Sequence, residues 1–256
     1  MARAGAEHRR RESSGIEFLY GRNAVLEALR AGRRRFFGLA VARGVRTGGL
    51  LSAILAEAQR RRVAVREVER QELDRLSEGH QGVALQASGY PYQELEVLTA
   101  RVDPQAMFLL LDCVEDPQNL GTLLRTAEAV QVAGVVIPEH RAATVTPAVS
   151  NASAGAVEYL PVARVGNLVR AMEALQAAGV WLVGLEDVPE AQIYDQTVWL
   201  GPIALVVGSE GRGMRRLVRE HCDILVRLPM AGRINSLNAA VAGSIVLYHA
   251  WRRRAP

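Results

Sequence analysis

The stretch from Ile203 to Asn238 limits what this chain can fold into more than any other part of the sequence. Apolar residues fill Ile203 to Val207, glycine recurs three times by Gly213, and apolar residues then return at helical spacing up to His221. This order predicts a strand, a glycine-rich turn and a helix. A strand without alternation is typical of a sheet that is covered on both faces.

A second short strand is predicted from Ile224 to Leu228, followed by a polar loop. The first loop carries Glu210, and the second carries Ser236 and Asn238. In open α/β sheets, ligands bind beyond the carboxyl ends of the strands, where loop groups are unpaired. A carboxylate, a hydroxyl and an amide on adjoining loops therefore predict a polar site, although ordinary turn chemistry also explains a glycine cluster.

The composition favours a chain of one or two domains in the α/β class. The chain has 256 residues, and aromatic residues make up 5% of it. No apolar run reaches the length of a membrane span, and the basic start is followed by no apolar segment, which predicts a cytoplasmic protein. Cys113 and Cys222 lie in or beside apolar stretches without metal-ligand spacing, so we interpret them as structural thiols and predict no metal site.

Arginine is the basic residue of this chain, because all 31 basic residues are arginine and lysine is absent. A Walker A loop and a Schiff-base enzyme both need a lysine, so these chemistries are excluded. Arginine binds phosphate through two parallel hydrogen bonds, which suits RNA. The arginines form runs that indicate either nucleic-acid binding or ordinary solvated faces: Arg9 to Arg11, Arg33 to Arg35, Arg60 to Arg62 and Arg252 to Arg254.

The order of predicted elements divides the chain. Residues 1–15 are predicted to be a disordered basic leader, because they lack apolar periodicity. Residues 16–89 form a small α/β domain and residues 90–105 a linker, rich in turn residues at its two ends. The predicted elements of the small domain are helices at Asn23 to Leu29, Leu50 to Arg61 and Glu72 to Leu76, and strands at Phe37 to Val41, Val63 to Val68 and Val83 to Ala87.

Residues 106–256 are predicted to form a second domain in which strands and helices alternate. The elements before Ile203 are strands at Met107 to Cys113, Gly134 to Ile137, Val157 to Val162 and Val180 to Leu185, and helices at Asn119 to Ala129, Pro147 to Ala154 and Asn167 to Ala178. This alternation predicts a mainly parallel sheet with helices on both faces.

A further motif lies where the first strand of this domain leads into a helix. It reads D-P-Q-N-L-G-T-L-L-R-T-A, from Asp116 to Ala127. Pro117 favours a turn, and Asn119 is a good helix N-cap residue, so a structural explanation covers both. Arg125 lies two turns into the helix and needs either an anionic partner or exposure to solvent.

Three motifs together resemble the SpoU branch of the SPOUT class of RNA 2′-O-ribose methyltransferases. They are the segment just described, V-V-G-S-E-G-R-G-M from Val206, and L-P-M-A-G-R-I-N-S-L-N from Leu228. The first domain, with Tyr20 to Val25 and His80 to Val83, is similar to the L30e-like domain that binds RNA in this family. The resemblance thus covers nearly all of the chain after the leader.

The resemblance implies an enzyme that transfers methyl groups from S-adenosyl-L-methionine, works as a homodimer and contains a deep C-terminal trefoil knot. The family members to which the chain is most similar methylate a guanosine in the peptidyl-transferase P loop of large-subunit (23S) ribosomal RNA. By the same resemblance, the cofactor-binding residues are Gly208, Leu228, Met230 and Leu237. The catalytic residues are Arg125, Asn119, Glu210, Ser236 and Asn238.

Several alternatives stay open at the level of sequence. Family proposals make Arg125 the base, but a guanidinium keeps its proton so strongly that clamping a phosphate is an equally good role. A different ribosomal or transfer RNA nucleotide is an alternative substrate. A non-catalytic RNA-binding protein and a dinucleotide-binding enzyme are more remote, the latter because the glycine order G-x-x-G-x-G differs from G-x-G-x-x-G.

Overall fold

The computed structural model describes residues 15–46, 48–233 and 236–254. The predicted disordered leader, residues 1–15, lies outside the described residues except for Gly15. The chain divides into two compact units. The first consists of Met1–Pro91 and Val145–Tyr159, and the second of Tyr92–Thr144 and Leu160–Pro256.

The helices and strands follow one another closely in both units. The strands are β1 (Ile16–Tyr20), β2 (Phe36–Ala42), β3 (Val65–Val68), β4 (Val83–Ser88), β5 (Met107–Leu111), β6 (Gly134–Pro138), β7 (Val162–Val165), β8 (Trp181–Leu185), β9 (Gln192–Ile193), β10 (Ile203–Val207) and β11 (Ile224–Arg227). The helices are α1 (Arg22–Ala31), α2 (Leu50–Arg60), α3 (Arg70–Asp74), α4 (Leu95–Thr99), α5 (Pro117–Ala129), α6 (Pro147–Ala152), α7 (Leu168–Ala177), α8 (Arg216–Glu220) and α9 (Ala239–Arg254).

The first unit contains a four-stranded sheet in the order β1-β4-β2-β3. Strand β4 is antiparallel to β1 and β2, whereas β2 and β3 are parallel. Helix α1 buries Val25, Ala28 and Leu29 in the core and ends at Gly32, whose φ of 63° allows the left-handed turn that closes the helix. The sequence predicted three of the four strands. It missed β1, a five-residue strand in which only Leu19 is buried.

Residues 145–159 follow β6 in sequence but pack in the first unit, where α6 lies against β1. The predicted strand from Val157 to Val162 is wrong, because residues 156–159 form a 3-10 turn and β7 begins at Val162. The chain turns at Ala154 and Gly155, which have φ values of 53° and 88°. A fragment beginning at residue 92 would therefore keep this segment without the partners that it packs against.

The second unit contains a seven-stranded sheet in the order β7-β6-β5-β10-β8-β11-β9, and all of its strand pairs are parallel. The prediction of a mainly parallel sheet is confirmed. Strands β5 and β10 are buried along their whole length, which explains their unbroken apolar sequences. The sequence missed β9, because a two-residue strand leaves no periodicity to detect.

Helices cover both faces of this sheet. Residues of α7 and α8 share a core with Ala204 and Val206 of β10. On the other face α9 crosses α5 so closely that a Cβ atom at Gly243 would lie 2.8 Å from Leu123 and 3.1 Å from Val207. Among the described residues, no helix has the length and hydropathy of a membrane span.

Candidate active site

Three predicted site residues meet beyond the carboxyl ends of β5 and β10. Asn119 Nδ2 donates to Glu210 Oε2 at 3.1 Å. Asn238 Nδ2 donates to the same oxygen at 3.1 Å and to Asn119 Oδ1 at 2.9 Å. Each side chain comes from a different loop or helix end, so the sheet brings together residues that are far apart in sequence. We call these three residues the amide–carboxylate cluster.

The two asparagines are held by the helices that carry them. Helix α5 begins at Pro117, and its N-cap is Asp116, which accepts from Gln118 N at 3.0 Å. The expectation that Asn119 serves as N-cap is therefore wrong, and its amide is available for Glu210. Asn238 Oδ1 accepts from the backbone amides of residues 240 and 241 at 2.9 and 3.1 Å. Asn238 thus caps α9 and joins the cluster with the same side chain.

The glycine-rich loop is a tight turn closed by its own backbone. Ser209 N donates to Gly213 O at 3.1 Å, and Gly213 N donates to Ser209 O at 3.0 Å. A Cβ atom at Gly208 would lie 2.3 Å from Gly213 C, so no larger residue fits there. Gly211 and Gly213 have φ values of 78° and 65°. These glycines shape a turn and precede only the five-residue helix α8, which is unlike a dinucleotide-binding loop.

The glycine-rich loop and the loop after β11 enclose a cavity of about 620 Å³, which we call the loop pocket. All four residues predicted to bind a cofactor line it, together with three of the predicted catalytic residues: Gly208, Leu228, Met230, Leu237, Glu210, Ser236 and Asn238. Met230 and Leu237 are partly exposed apolar side chains. The pocket therefore offers apolar surface beside bare backbone, which suits a flat heterocycle.

A second cavity of about 580 Å³ adjoins the first and shares Ser209, Glu210 and Arg212 with it. We call it the arginine pocket. Arg141 and Arg212 line it, and neither makes a hydrogen bond or ion pair within the described part of the chain. Cys113 also lines it, and burial, followed by the charge of Asp112, raises the pKa of this thiol. The pocket thus presents available guanidinium groups and a protonated thiol beside the amide–carboxylate cluster.

Two predicted catalytic residues stand apart from that cluster. Arg125 is exposed on α5 and lines neither pocket, and its side chain makes no hydrogen bond or ion pair with the residues that the structure describes. Ser236 is exposed and lines the loop pocket, and it too has no hydrogen bond within the described residues. Among the described residues, the Arg125 side chain therefore forms no hydrogen bond with the other predicted catalytic residues.

Sequence reasoning missed Asp112, Arg215 and Glu186 as parts of this site. Asp112 is completely buried, and Arg215 binds it with its side chain and its backbone amide. The hydrogen bond to Asp112 raises the pKa of Arg215. Glu186 accepts from Met214 N at 3.1 Å. Their place in the sequence could have identified the two carboxylates, since Asp112 and Glu186 each directly follow a strand of the parallel sheet.

The described residues contain no group of three or more histidine, cysteine, aspartate or glutamate side chains that could hold a metal ion. The polar atoms of the amide–carboxylate cluster instead bind one another through amide donors. This arrangement positions a carboxylate, and it borders both cavities.

Comparisons with known proteins agree on one family. The model of the SpoU rRNA Methylase family matches residues 106–248, and a model described as RNA 2′-O ribose methyltransferase substrate binding matches residues 18–93. The 23S rRNA (guanosine-2′-O-)-methyltransferase RlmB of Pseudomonas putida is 42% identical over 247 residues, which cover 94% of this chain and 98% of the relative. An uncharacterized tRNA/rRNA methyltransferase of Mycolicibacterium vanbaalenii is 42% identical over 254 residues, covering 97% and 80% of the two chains.

A solved structure is similar over the same extent. The SpoU methyltransferase AviRb of Streptomyces viridochromogenes, crystallised with the cofactor AdoMet, superimposes with a TM-score of 0.79 at 26% identity. The match covers 96% of this chain and 93% of that one. The similarity therefore includes both units of the chain.

Proposed function

The chain belongs to the SpoU rRNA methylase family, and we propose that it methylates the ribose 2′-hydroxyl of a guanosine in the peptidyl-transferase P loop of 23S ribosomal RNA. The observation that carries this proposal is the amide–carboxylate cluster, because it borders both the loop pocket and the arginine pocket. One cavity suits a nucleoside methyl donor, and the other suits an anionic substrate. The RlmB relative, 42% identical to this chain, supports the choice of a 23S guanosine.

The residues of the loop pocket fit S-adenosylmethionine, which supplies a methyl group already activated on a sulfonium. Gly208 forms part of the wall of this pocket, while Leu228, Met230 and Leu237 offer apolar contacts for the adenine. Glu186 and Asp187 line the same pocket and provide carboxylates toward a cationic donor. When bound, this donor would give its methyl group to the ribose oxygen and leave as the neutral thioether, while the proton of the hydroxyl would pass to water or to a basic group of the site.

The first unit supports RNA as the partner through a cluster of arginines. A surface depression of about 610 Å³ is lined by four arginines, Arg22, Arg43, Arg46 and Arg70. Arg43 pairs with Glu69 at 2.7 Å. The side chains of Arg46 and Arg70 make no hydrogen bond or ion pair within the described residues, so their charges are available for phosphates.

The second unit offers a surface for a homodimer, which we propose as the working form. Val241, Ile245 and Tyr248 lie on one side of α9 and are 44%, 39% and 50% exposed. Large apolar side chains grouped on one helix face indicate a protein interface, and a symmetric dimer is the commonest oligomer. Sedimentation equilibrium is expected to give a two-chain mass for the native protein and a one-chain mass for Ile245→Arg.

The matched control for the dimer is Arg253→Ala, because Arg253 is exposed on the same helix but lies away from the side that carries Val241, Ile245 and Tyr248. This variant is expected to keep the two-chain mass. A one-chain mass for the native protein at micromolar concentration would contradict the proposal.

We further propose that the chain forms the family's deep trefoil knot and acts in the cytoplasm, where ribosomal RNA is made. The knot is supported by the path of the chain after β11, which pairs with β8, to α9, which packs on α5 and β10. Residues 234–235 of this path are outside the described chain.

Mapping ribose methylation in RNA from cells that lack the protein tests the proposed substrate. We expect one 2′-O-methylguanosine of the 23S P loop to disappear and to return when the gene is restored. Loss of a transfer RNA methylation instead would favour the alternative substrate. One relative is named as a tRNA/rRNA methyltransferase, which is the reason to test transfer RNA as well. Calorimetry of the purified chain with S-adenosylmethionine and a chelator tests the donor, and the absence of binding would contradict it.

A further inference from the structure

Asp112 is a carboxylate with no exposed surface, placed directly after the fully buried strand β5. We propose that Asp112 and Arg215 are positioning residues that fix both ends of the glycine-rich loop, and that they thereby hold Glu210 against Asn119 and Asn238. The proposal goes beyond the methyl-transfer function and rests on it only for the activity measurement below.

Asp112 binds the glycine-rich loop where it begins and where it ends. Its backbone N–H donates to Val207 O at 2.8 Å, immediately before the loop starts at Gly208. Its Oδ2 accepts from the backbone N–H of Arg215 at 2.7 Å. Its Oδ1 accepts from Nε and Nη2 of the same arginine, each at 2.7 Å. One buried residue therefore sets the distance between the two ends of the loop.

A second carboxylate holds the same end of the loop from the neighbouring strand. Glu186 follows β8, and its Oε2 accepts from Met214 N at 3.1 Å. Gly213 passes directly over it, since a Cβ atom there would lie 2.7 Å from Glu186 Oε1. The base of the loop is thus bound on two sides, by Asp112 and by Glu186.

The tip of the loop depends on this base for its position. Ser209 and Gly213 bond to each other, which leaves Glu210, Gly211 and Arg212 as an exposed tip. Within the described residues, the hydrogen bonds of that tip to other elements are those that Glu210 accepts from the two asparagines. A shift of Arg215 would therefore move Glu210 relative to its partners.

Burying the Asp112 carboxylate gives the fold no gain in stability over apolar residues, which favours a role in positioning the loop. A buried carboxylate must be fully paired, and apolar residues of similar size would stabilise the core at least as well. Cys113 follows Asp112 with a φ of 59°, in the left-handed region that side chains rarely adopt. Strained backbone of this kind concentrates at functional sites, because the surrounding structure must hold it there.

A double-mutant cycle between Arg215 and Glu210 tests the proposal. Arg215→Ala is expected to lower kcat about 100-fold, because a small misplacement of a site residue costs that much. In the Glu210→Ala background the same change should lower kcat less than about twofold, since the residue to be positioned is gone. Arg215→Lys, which retains the charge, should have a higher kcat than Arg215→Ala and a lower kcat than the native protein. If the role of Arg215 is purely structural, the kcat loss of the double variant should equal the product of the losses of the two single variants.

The matched control is Arg216→Ala, which removes an exposed arginine paired with Glu220 at 2.8 Å, outside the loop. Arg216→Ala should leave kcat unchanged. Arg215 is also about half exposed, so Arg215→Ala is expected to fold, and circular dichroism checks this. Multiplying effects in the double variant, or an unchanged kcat in Arg215→Ala, would overturn the proposal.

Amide hydrogen exchange provides a measurement that needs no RNA. The segment Gly208 to Arg215 should exchange faster in Arg215→Ala than in the native protein or in Arg216→Ala. Equal exchange in all three proteins would overturn the positioning role of Asp112 and Arg215 even if methyl transfer is confirmed. If the native protein transfers no methyl group to RNA while exchange behaves as expected, the proposed function fails and the positioning role stands.

Discussion

Replacing Arg125 by alanine is expected to lower the turnover of ribose methylation by about 100- to 10,000-fold, the range for losing a group that serves the transition state. The dissociation constant for S-adenosylmethionine is expected to stay within about threefold of its native value. The turnover loss follows from the catalytic role that the family resemblance assigns to Arg125. The donor affinity should persist because Arg125 is exposed, lines neither pocket, and has no side-chain hydrogen bond or ion pair within the described residues. Single-turnover kinetics and calorimetry measure the two quantities.

Arg125→Lys separates the two roles that Arg125 could have. Lysine keeps the positive charge but lacks the planar fork, and its ammonium gives up a proton far more readily. Turnover that recovers as the pH rises would favour a base, whereas a variant inactive at every pH would favour a bidentate clamp on phosphate. The pH profile of kcat decides between them.

The matched control is Arg170→Ala, since Arg170 is exposed on α7 and its side chain makes no hydrogen bond or ion pair within the described residues. Arg170→Ala should have native turnover. If Arg125→Ala also keeps native turnover, Arg125 has no catalytic role and the assignment taken from the family resemblance is wrong.

The parts of the fold that the sequence predicted are those with local signals. Unbroken apolar strands alternating with amphipathic helices gave the parallel sheet, because strands buried on both faces tolerate no polar residue. The motifs likewise indicated Asn119, Glu210 and Asn238, which the structure brings into mutual contact. The loop pocket is lined by the residues that the resemblance assigned to the cofactor.

The features that the sequence did not predict depend on distant partners. Asp112 and Arg215 are 103 positions apart, and neither has a local pattern that identifies its pairing. Arg34 lies in a run that we interpreted as solvated or RNA-binding, yet it is buried and pairs with Glu158, 124 positions away. A run of arginines in the sequence does not show that each of them is exposed, because tertiary packing decides which side chains are buried.

The buried ion network around Arg34 leads to the largest effect on stability that we expect. The Arg34 side chain has no exposed surface and lies 2.8 Å from Glu158 Oε1 and 2.6 Å from Glu17 Oε2. It also donates to Ser88 O and Ser150 Oγ. Burial by itself would lower the pKa of Arg34, but hydrogen bonds and charges from the two glutamates raise it overall. The guanidinium is therefore charged and fully paired.

Arg34→Ala is expected to reduce the free energy of unfolding by about 3–5 kcal/mol, the usual cost of removing one partner from a buried ion pair. Glu158 is only 1% exposed and would be left as a buried carboxylate without a counter-charge. Because Glu158 belongs to residues 145–159, that segment should also loosen from β1 and α1. Urea denaturation followed by circular dichroism measures the free energy, and amide exchange measures the loosening.

Two further variants make this prediction specific to the buried charge. Arg35→Ala alters the next arginine of the same run, which is exposed, and should change the free energy of unfolding by less than about 0.5 kcal/mol. Combining Arg34→Ala with Glu158→Gln should recover a substantial part of the loss, because a neutral amide is much less costly to bury than a lone carboxylate. Equal destabilisation in the single and double variants would mean that lost packing of the arginine stem, and not the unpaired charge, accounts for the effect.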